Sequence, residues 1–262
     1  MLLAIDVGNT KIAIGIHRDG KWAADWRITT HLDHLADEYA MLLKSLLDDA
    51  GLKLKDVTGT VIGSVVPPMT SVFQELSARY VGKPALVLGP GVETGVTIRI
   101  DNPAETGADR IANTAAVQKL YGGPAIVIDL GTGTTFDVVS EKGEYLGGAI
   151  APGLGITADA LVRRTARLPK VELVYPPHAI GRNTVSAMQS GLVIGYVGLI
   201  KELVETLKKE LGGSPKIIAT GGMARIVAQW APVIEIVDPR LTLEGLRIVY
   251  ELNDSSRLAA PG

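Results

Sequence analysis

Residues 125–139, Ala125-Ile-Val-Ile-Asp129-Leu-Gly-Thr-Gly-Thr-Thr-Phe136-Asp-Val-Val139, read as an apolar strand ending at Asp129, a turn of small hydroxylated residues, and a returning strand from Phe136. A continuous apolar run of this kind suits a strand buried on both faces. The carboxylate at its end must meet a cation, water or donors, because an unpaired buried charge is costly. The Gly-Thr-Gly-Thr-Thr turn offers backbone N–H groups and hydroxyls with little bulk to block a phosphate. Any hairpin can carry Asp, Gly and Thr, so one copy decides little. The chain, however, opens with a second: Leu2-Leu-Ala-Ile-Asp6-Val-Gly-Asn-Thr-Lys-Ile-Ala-Ile-Gly-Ile16. Each copy then reaches another turn, at Asp19-Gly20 and Lys142-Gly143. Two strand–Asp–turn–strand units predict a duplicated architecture whose facing turns hold one polyphosphate and its metal between Asp6 and Asp129.

Composition bounds the rest. A length of 262 residues allows one large domain or two smaller ones, and the repeat favours two. Hydrophobic content of 47% with two Phe and three Trp means an aliphatic core, as in α/β proteins. A formal charge of −2 without a long basic run argues against nucleic acid as the main partner. There is no cysteine, which excludes disulfides and permits a reducing compartment. Met1-Leu-Leu-Ala-Ile5 lacks a basic start and a cleavage site, so no signal peptide is expected. No apolar run approaches the ~20 residues that span a bilayer. The expectation is a cytoplasmic protein.

Along the chain, residues 21–28 alternate as a third strand would, and Thr30 is the expected cap of a helix carrying Leu35, Tyr39, Leu43 and Leu47. Residues 58–66 form a buried strand, Pro67-Pro68 opens a helix, and 85–88 is another strand. This order predicts an antiparallel sheet extended by parallel crossovers. Gly107-Ala-Asp-Arg110 sits where the next helix begins. Asp109 there either complements the helix dipole, or projects into a cleft as a base while Arg110 holds an acidic substrate. Asn183 or Thr184 caps a long helix to about Leu211. Its Gly191, Gly195 and Gly198 invite close approach of another backbone, within the chain or across a dimer seam. Residues 216–225 read strand, glycine turn, helix. Gly221 and Gly222 either let a flat base approach beyond the strand end or merely make a tight turn. Residues 233–237 are a last strand, before a helix carrying Leu243, Leu246 and Val249. The four histidines show no metal-ligand spacing, and there is no P-loop.

The two hairpins with the Gly-Gly turn resemble the phosphate 1, phosphate 2 and adenosine motifs of the superfamily that holds acetate and sugar kinases, heat-shock chaperone ATPases and actin. Within it, the chain resembles the type III pantothenate kinases nearly end to end. The matching blocks are 6–10, 64–68 (Ser-Val-Val-Pro-Pro), Asn102-Pro103, 107–110, 129–137, 147–153, Asn183-Thr184 and 243–246 (Leu-Glu-Gly-Leu). Gly107-Ala-Asp-Arg110 followed by Thr184 is specific to these enzymes.

The resemblance implies an α/β fold of two duplicated ribonuclease H-like (actin-like ATPase) domains, each a mixed sheet flanked by helices, with the active site in the cleft between them. The domains are expected at 1–115 and 116–262, the second carrying the dimerisation helix. It also implies ATP-dependent phosphorylation of pantothenate, the first step of coenzyme A synthesis. Asp6, Val7, Gly8, Asn9, Thr10, Lys11, Ile12 and Ala13 match the first ATP-binding segment. Thr132 matches an ATP-contacting threonine, and Gly221 and Gly222 the adenosine motif. Gly107, Ala108, Asp109 and Arg110 match the pantothenate loop, with Asp109 as general base. Asp129 matches the ligand of a monovalent cation (K+ or NH4+), and Asp6 is expected to reach Mg2+ through water. Thr184 matches a substrate-contacting residue that acts at a homodimer interface. Ile100 stands where the family usually has a substrate-contacting tyrosine, which removes a hydrogen bond worth up to ~1.5 kcal/mol. The rival readings are another small-molecule kinase on this scaffold, or a non-catalytic ATP-binding regulator akin to transcriptional accessory factors. The near-neutral charge and the trio Asp6, Asp109 and Asp129 argue against the regulator.

Overall fold

A computed structural model describes residues 1–254. Two five-stranded mixed sheets share one topology. The first runs β3-β2-β1-β4-β5, from β1 (Leu2–Val7), β2 (Lys11–Arg18), β3 (Lys21–Thr29), β4 (Gly59–Ser64) and β5 (Leu86–Val87). The second runs β10-β9-β6-β7-β8, from β6 (Ala125–Leu130), β7 (Gly133–Val139), β8 (Tyr145–Pro152), β9 (Lys216–Thr220) and β10 (Ile236–Val237). In each the apolar Asp-bearing strand is central, antiparallel to its hairpin partner and parallel to the next strand. The duplication extends to a register slip in the second strand of each hairpin, after Ile16 and after Val138. The Asp19-Gly20 turn has positive φ at both residues (51° and 78°), as the tightest hairpin requires.

The contacts divide the chain into two units: Met1–Thr97 with Asp101–Leu120 and the C-terminal segment from Arg240, and Ile98–Ile100 with Tyr121–Pro239. A single cut at 115/116 does not describe this division. It falls inside the helix Ala108–Leu120, and the last helix, Leu241–Asn253, packs with the first unit.

In the first unit, Leu3, Ile5 and Val7 face one way, against α1 (Ala36–Asp49) and α2 (Pro67–Leu76) through Tyr39, Leu43 and Phe73. Leu2 and Ala4 face the other way, against α3 (Ala108–Leu120) and the last helix through Ala112, Leu243 and Leu246. The period-2 alternation of a strand makes this split and puts Asp6 on the α3 side. A Cβ on Gly245 would stand 1.8 Å from the Ala112 carbonyl oxygen, so only glycine lets these helices approach so closely. The edge strand β3 alternates exposed Lys21, Asp25 and Arg27 with half-buried Trp22, Trp26 and Ile28; the charged residues discourage edge pairing.

In the second unit, Ile126, Ile128 and Leu130 face a core built with α4 (Leu154–Arg163), α5 (Thr184–Gln189), α6 (Gly195–Leu211) and α7 (Ala224–Trp230). A π-helical turn, Ser190–Ile194, joins α5 and α6. The helix from Thr184 to Leu211 is long and apolar enough to cross a bilayer by length and composition. Its Met188, Leu192, Tyr196, Ile200 and Val204 are nonetheless core residues of the second unit. Its glycines 191, 195 and 198 are exposed, and nothing among the described residues comes within 4 Å of a Cβ placed on them. Of the two alternatives, the close approach within the chain is therefore not met at these glycines among the described residues.

Candidate active site

The turn after Asp6 is braced from a place the sequence did not mark. Thr30 is not the cap of α1. The helix begins at Ala36, and Leu35 N–H donates to the Glu38 carboxylate at 2.8 Å. The Thr30 hydroxyl instead donates to the Gly8 carbonyl at 2.7 Å, and its N–H to the Thr10 carbonyl at 3.0 Å. Gly8 N–H bonds Lys11 O at 3.0 Å, and Lys11 Nζ bonds the Thr29 hydroxyl at 3.1 Å. The turn's carbonyls are thus held from the β3 side. Only the hairpin register, which pairs Lys11 with Thr29, carries a sequence signal for this.

The turn after Asp129 is shorter: residues 131–133 separate the pair Leu130↔Thr134, where 8–11 separate Val7↔Ile12. Gly153 N–H bonds the Thr132 carbonyl at 3.1 Å, and a Cβ on Gly153 would lie 2.3 Å from that oxygen. The C-terminal end of the 147–153 block, at Gly153, therefore lies directly on the turn. Thr134, fully buried, shares a 2.5 Å hydrogen bond with the Tyr196 hydroxyl on α6. Burial pushes the Tyr196 phenol up, against the opposing pull of Thr134, so the hydroxyl stays protonated.

Gly221 belongs to the same constellation. Its φ is +92°, and a Cβ there would stand 2.5 Å from Asp129 Oδ1 and 2.7 Å from Leu130 N. Met223 N–H bonds the Leu130 carbonyl at 3.2 Å, as Val65 N–H bonds Val7 O at 3.1 Å in the first unit. Gly221 is thus glycine because of Asp129. Gly222 is different: it is exposed, with nothing within 4 Å of an added Cβ, which leaves room for a flat base.

Asp109 lies in the first turn of α3, half-buried. Its Oδ1 accepts from Arg110 N–H at 2.9 Å and folds over Gly107, where a Cβ would be 2.4 Å away. The carboxylate therefore serves the helix start. Its other oxygen makes no hydrogen bond among the described residues. Ile100 lies in the second unit beside Gly147, its Cγ2 3.3 Å from where a Cβ would sit there, on a stretch that bridges to Tyr145. Asn183, not Thr184, caps α5, its Oδ1 accepting from Ser186 N–H at 2.9 Å. Thr184 is exposed and lines an open groove of about 730 Å³ with Leu161, Leu168, Met188 and Leu192.

Two identical sheet topologies, each presenting an Asp and a braced turn at the end of its central strand, define an actin-like ATPase-fold protein. Solved structures of that shape include a Baf family transcriptional activator from Campylobacter jejuni (TM-score 0.61, 20% identity, 97% of this chain and 99% of that one). Another is the activator of 2-hydroxyisocaproyl-CoA dehydratase from Clostridium difficile, with ADPNP bound (TM-score 0.56, 12% identity, 100% and 98% covered). The sequence profile of the family described as type III pantothenate kinase matches residues 2–206. Type III pantothenate kinases of Moorella thermoacetica (53% identity, 97% of this chain, 100% of that protein) and of a Roseiflexus species (50%, 97% and 100%) are similar over nearly their whole length. The chain belongs to the type III pantothenate kinase family.

Proposed function

We propose that this protein transfers the γ-phosphoryl group of ATP to the primary hydroxyl of pantothenate, giving 4'-phosphopantothenate and ADP, the opening step of coenzyme A synthesis. The observation that carries the reading is identity near 50% along the whole length of proteins named for that reaction. The braced Asp6 and Asp129 turns support it.

Phosphoryl transfer asks a protein for in-line positioning and charge neutralisation more than for covalent chemistry. The turns at residues 6–13 and at Thr132 hold the phosphates, and Gly222, with Gly221 behind it, receives the adenine. Gly107, Ala108 and Arg110 with Thr184 hold pantothenate, Arg110 pairing its carboxylate. Asp109 takes the proton of the attacking hydroxyl through the oxygen not engaged by Arg110 N–H. The alcohol oxygen bonds to Pγ, the bond from Pγ to the bridging oxygen breaks, and ADP departs with that electron pair. Ile100 offers only apolar contact in place of the family's tyrosine hydroxyl.

The donors at both Asp turns are carboxylate and hydroxyl oxygens, which suit Mg2+ and K+ or NH4+. Asp6 would meet Mg2+ through water and Asp129 the monovalent cation; when bound, the ions offset the phosphate charge. The protein works as a cytoplasmic homodimer, without nucleic acid or membrane partners. The exposed glycine face of the helix from Thr184 to Leu211 supports a seam between copies.

The test is Asp109→Asn. Asn keeps an acceptor for Arg110 N–H and removes the base, so ATP and pantothenate binding by calorimetry should persist while kcat falls by about 10²–10⁴. Near-normal turnover would remove Asp109 from its role. Phosphorylation of a sugar but not of pantothenate in a substrate panel would replace the reaction itself.

A further inference from the structure

The duplication provides an internal control for the surroundings of the two aspartates. In the first unit Asp6 stands across the hairpin from Ala13 and beside Gly63 of β4, and Gly15 follows two residues on. In the second unit the corresponding places are Thr135, Thr220 and Asp137. Side chains opposite one another on paired strands share a sheet face. Ile126, Ile128, Leu130 and Phe136 occupy the core face, so Asp129, Thr135 and Asp137 share the other. The two units diverge here for a packing reason as well. A Cβ on Gly15 would stand 2.5 Å from the Trp22 ring and 3.0 Å from Leu243, so the first unit fills this place with apolar atoms. The second fills it with an acid.

That acid is 2% exposed. Its Oδ2 accepts from the Thr135 hydroxyl at 3.0 Å and its Oδ1 from the Tyr145 hydroxyl at 3.2 Å; Tyr145 is itself 2% exposed. With its oxygens accepting from these two hydroxyls, a carboxyl group this deep holds the donors firmly, because a buried acceptor gains little from releasing them. The Thr135 proton is thereby committed. A threonine hydroxyl has one proton and two lone pairs, so what remains of Thr135 Oγ1 is acceptor only. An acceptor-only oxygen beside Asp129 is useless for donating to a phosphate, and it suits a cation.

We infer that Thr135 Oγ1 is a second ligand of the monovalent cation held by Asp129, and that Asp137 is its positioning residue, turning the Thr135 lone pairs toward the ion. This rests on the reading of Asp129 as the cation ligand. Asp137 does not touch the ion in this scheme. It fixes which way the hydroxyl faces, with Tyr145 securing its other oxygen. Thr135→Val keeps the β-branched shape and removes the oxygen. Thr135→Ser keeps the oxygen, and Asp137→Asn keeps the packing but frees the proton.

The experiment soaks crystals of the ATP-analogue complex in thallium(I) acetate and reads the anomalous peak beside Asp129. In parallel, the K+ concentration for half-maximal activation is titrated at saturating ATP and pantothenate. Losing one charge-assisted contact should raise that concentration about tenfold or more in Thr135→Val. The thallium peak should weaken in that variant, Asp137→Asn should move in the same direction, and Thr135→Ser should restore both readings. Melting curves show which variants fold; if Thr135→Val does not, Asp137→Asn against Thr135→Ser makes the same comparison. Wild-type thallium occupancy and K+ response in both Thr135→Val and Asp137→Asn would overturn the inference alone. A wild-type protein with no thallium at Asp129 and no K+ response would overturn the cation reading and this inference with it.

Discussion

Thr30→Val isolates one hydrogen bond in the turn after Asp6. Valine keeps the β-branched shape and the backbone N–H that bonds Thr10 O; it removes only the hydroxyl that donates to Gly8 O at 2.7 Å. Gly8 is half-buried, so water partly replaces the lost donor. The expected loss is about 1 kcal/mol, within the ordinary range for one neutral hydrogen bond. For a chain of this size that lowers the melting temperature by about 2–4 °C. If the same turn cradles the phosphates of ATP, its loosening should also raise the KM for ATP about fivefold, with a smaller change for pantothenate. Calorimetric melting and initial rates with each substrate varied in turn measure both, and Thr30→Ser should restore both. A variant that melts lower with an unchanged KM for ATP would show that the turn does not hold the nucleotide. A variant unchanged in both would show that the Thr30 hydroxyl carries nothing.

Gly245→Ala should be among the most destabilising single-methyl changes, because the new Cβ would fall 1.8 Å from a helix carbonyl. A loss of at least about 2 kcal/mol in denaturant melts is expected, and a neutral result would contradict the packing of α3 against the last helix. The two glycines of the turn after β9 should separate. Gly221→Ala meets the Asp129 carboxylate and a positive φ and should impair folding, while Gly222→Ala should melt like wild type yet weaken ATP binding. An unchanged ATP affinity in Gly222→Ala would remove adenine from that spot. His17 is held below the ordinary histidine range, first by burial and then by the Arg247 guanidinium, while Glu244 and Glu251 pull the other way. Its folded-state pKa is the lower one, so the unfolded chain binds the extra proton and stability falls as pH drops through the ordinary histidine range. His17→Gln should therefore lose less melting temperature than wild type between about pH 7.5 and 5.5. An equal loss would assign the acid sensitivity elsewhere.

The repeated strand–Asp–turn–strand pattern was enough to read the duplicated fold, because a central strand announces itself by an unbroken apolar run and its turn by Gly, Asn and Thr. Asp6 and Asp129 were legible for the same local reason, whereas the Gly107-Ala-Asp-Arg110 block read two ways until the family resemblance singled it out. Thr30 was misread as a cap because a threonine ahead of an apolar stripe looks alike whether it serves a helix or a neighbouring hairpin. The tie between Gly221 and Asp129 crosses about ninety residues of chain and follows only from the parallel pairing of β6 and β9. Asp137 lay inside the quoted stretch, but its burial and its hold on Thr135 are properties of a sheet face, not of neighbours in the chain.

Local periodicity and turn chemistry, which need only adjacent residues, thus set the elements, their order and the two aspartates beside the hairpin turns. Which hydroxyl braces which turn, why Gly245 and Gly221 admit no side chain, and that the final helix returns to the first unit were decided by tertiary packing. Those contacts join residues, distant in the chain, that only strand pairing and helix packing bring together.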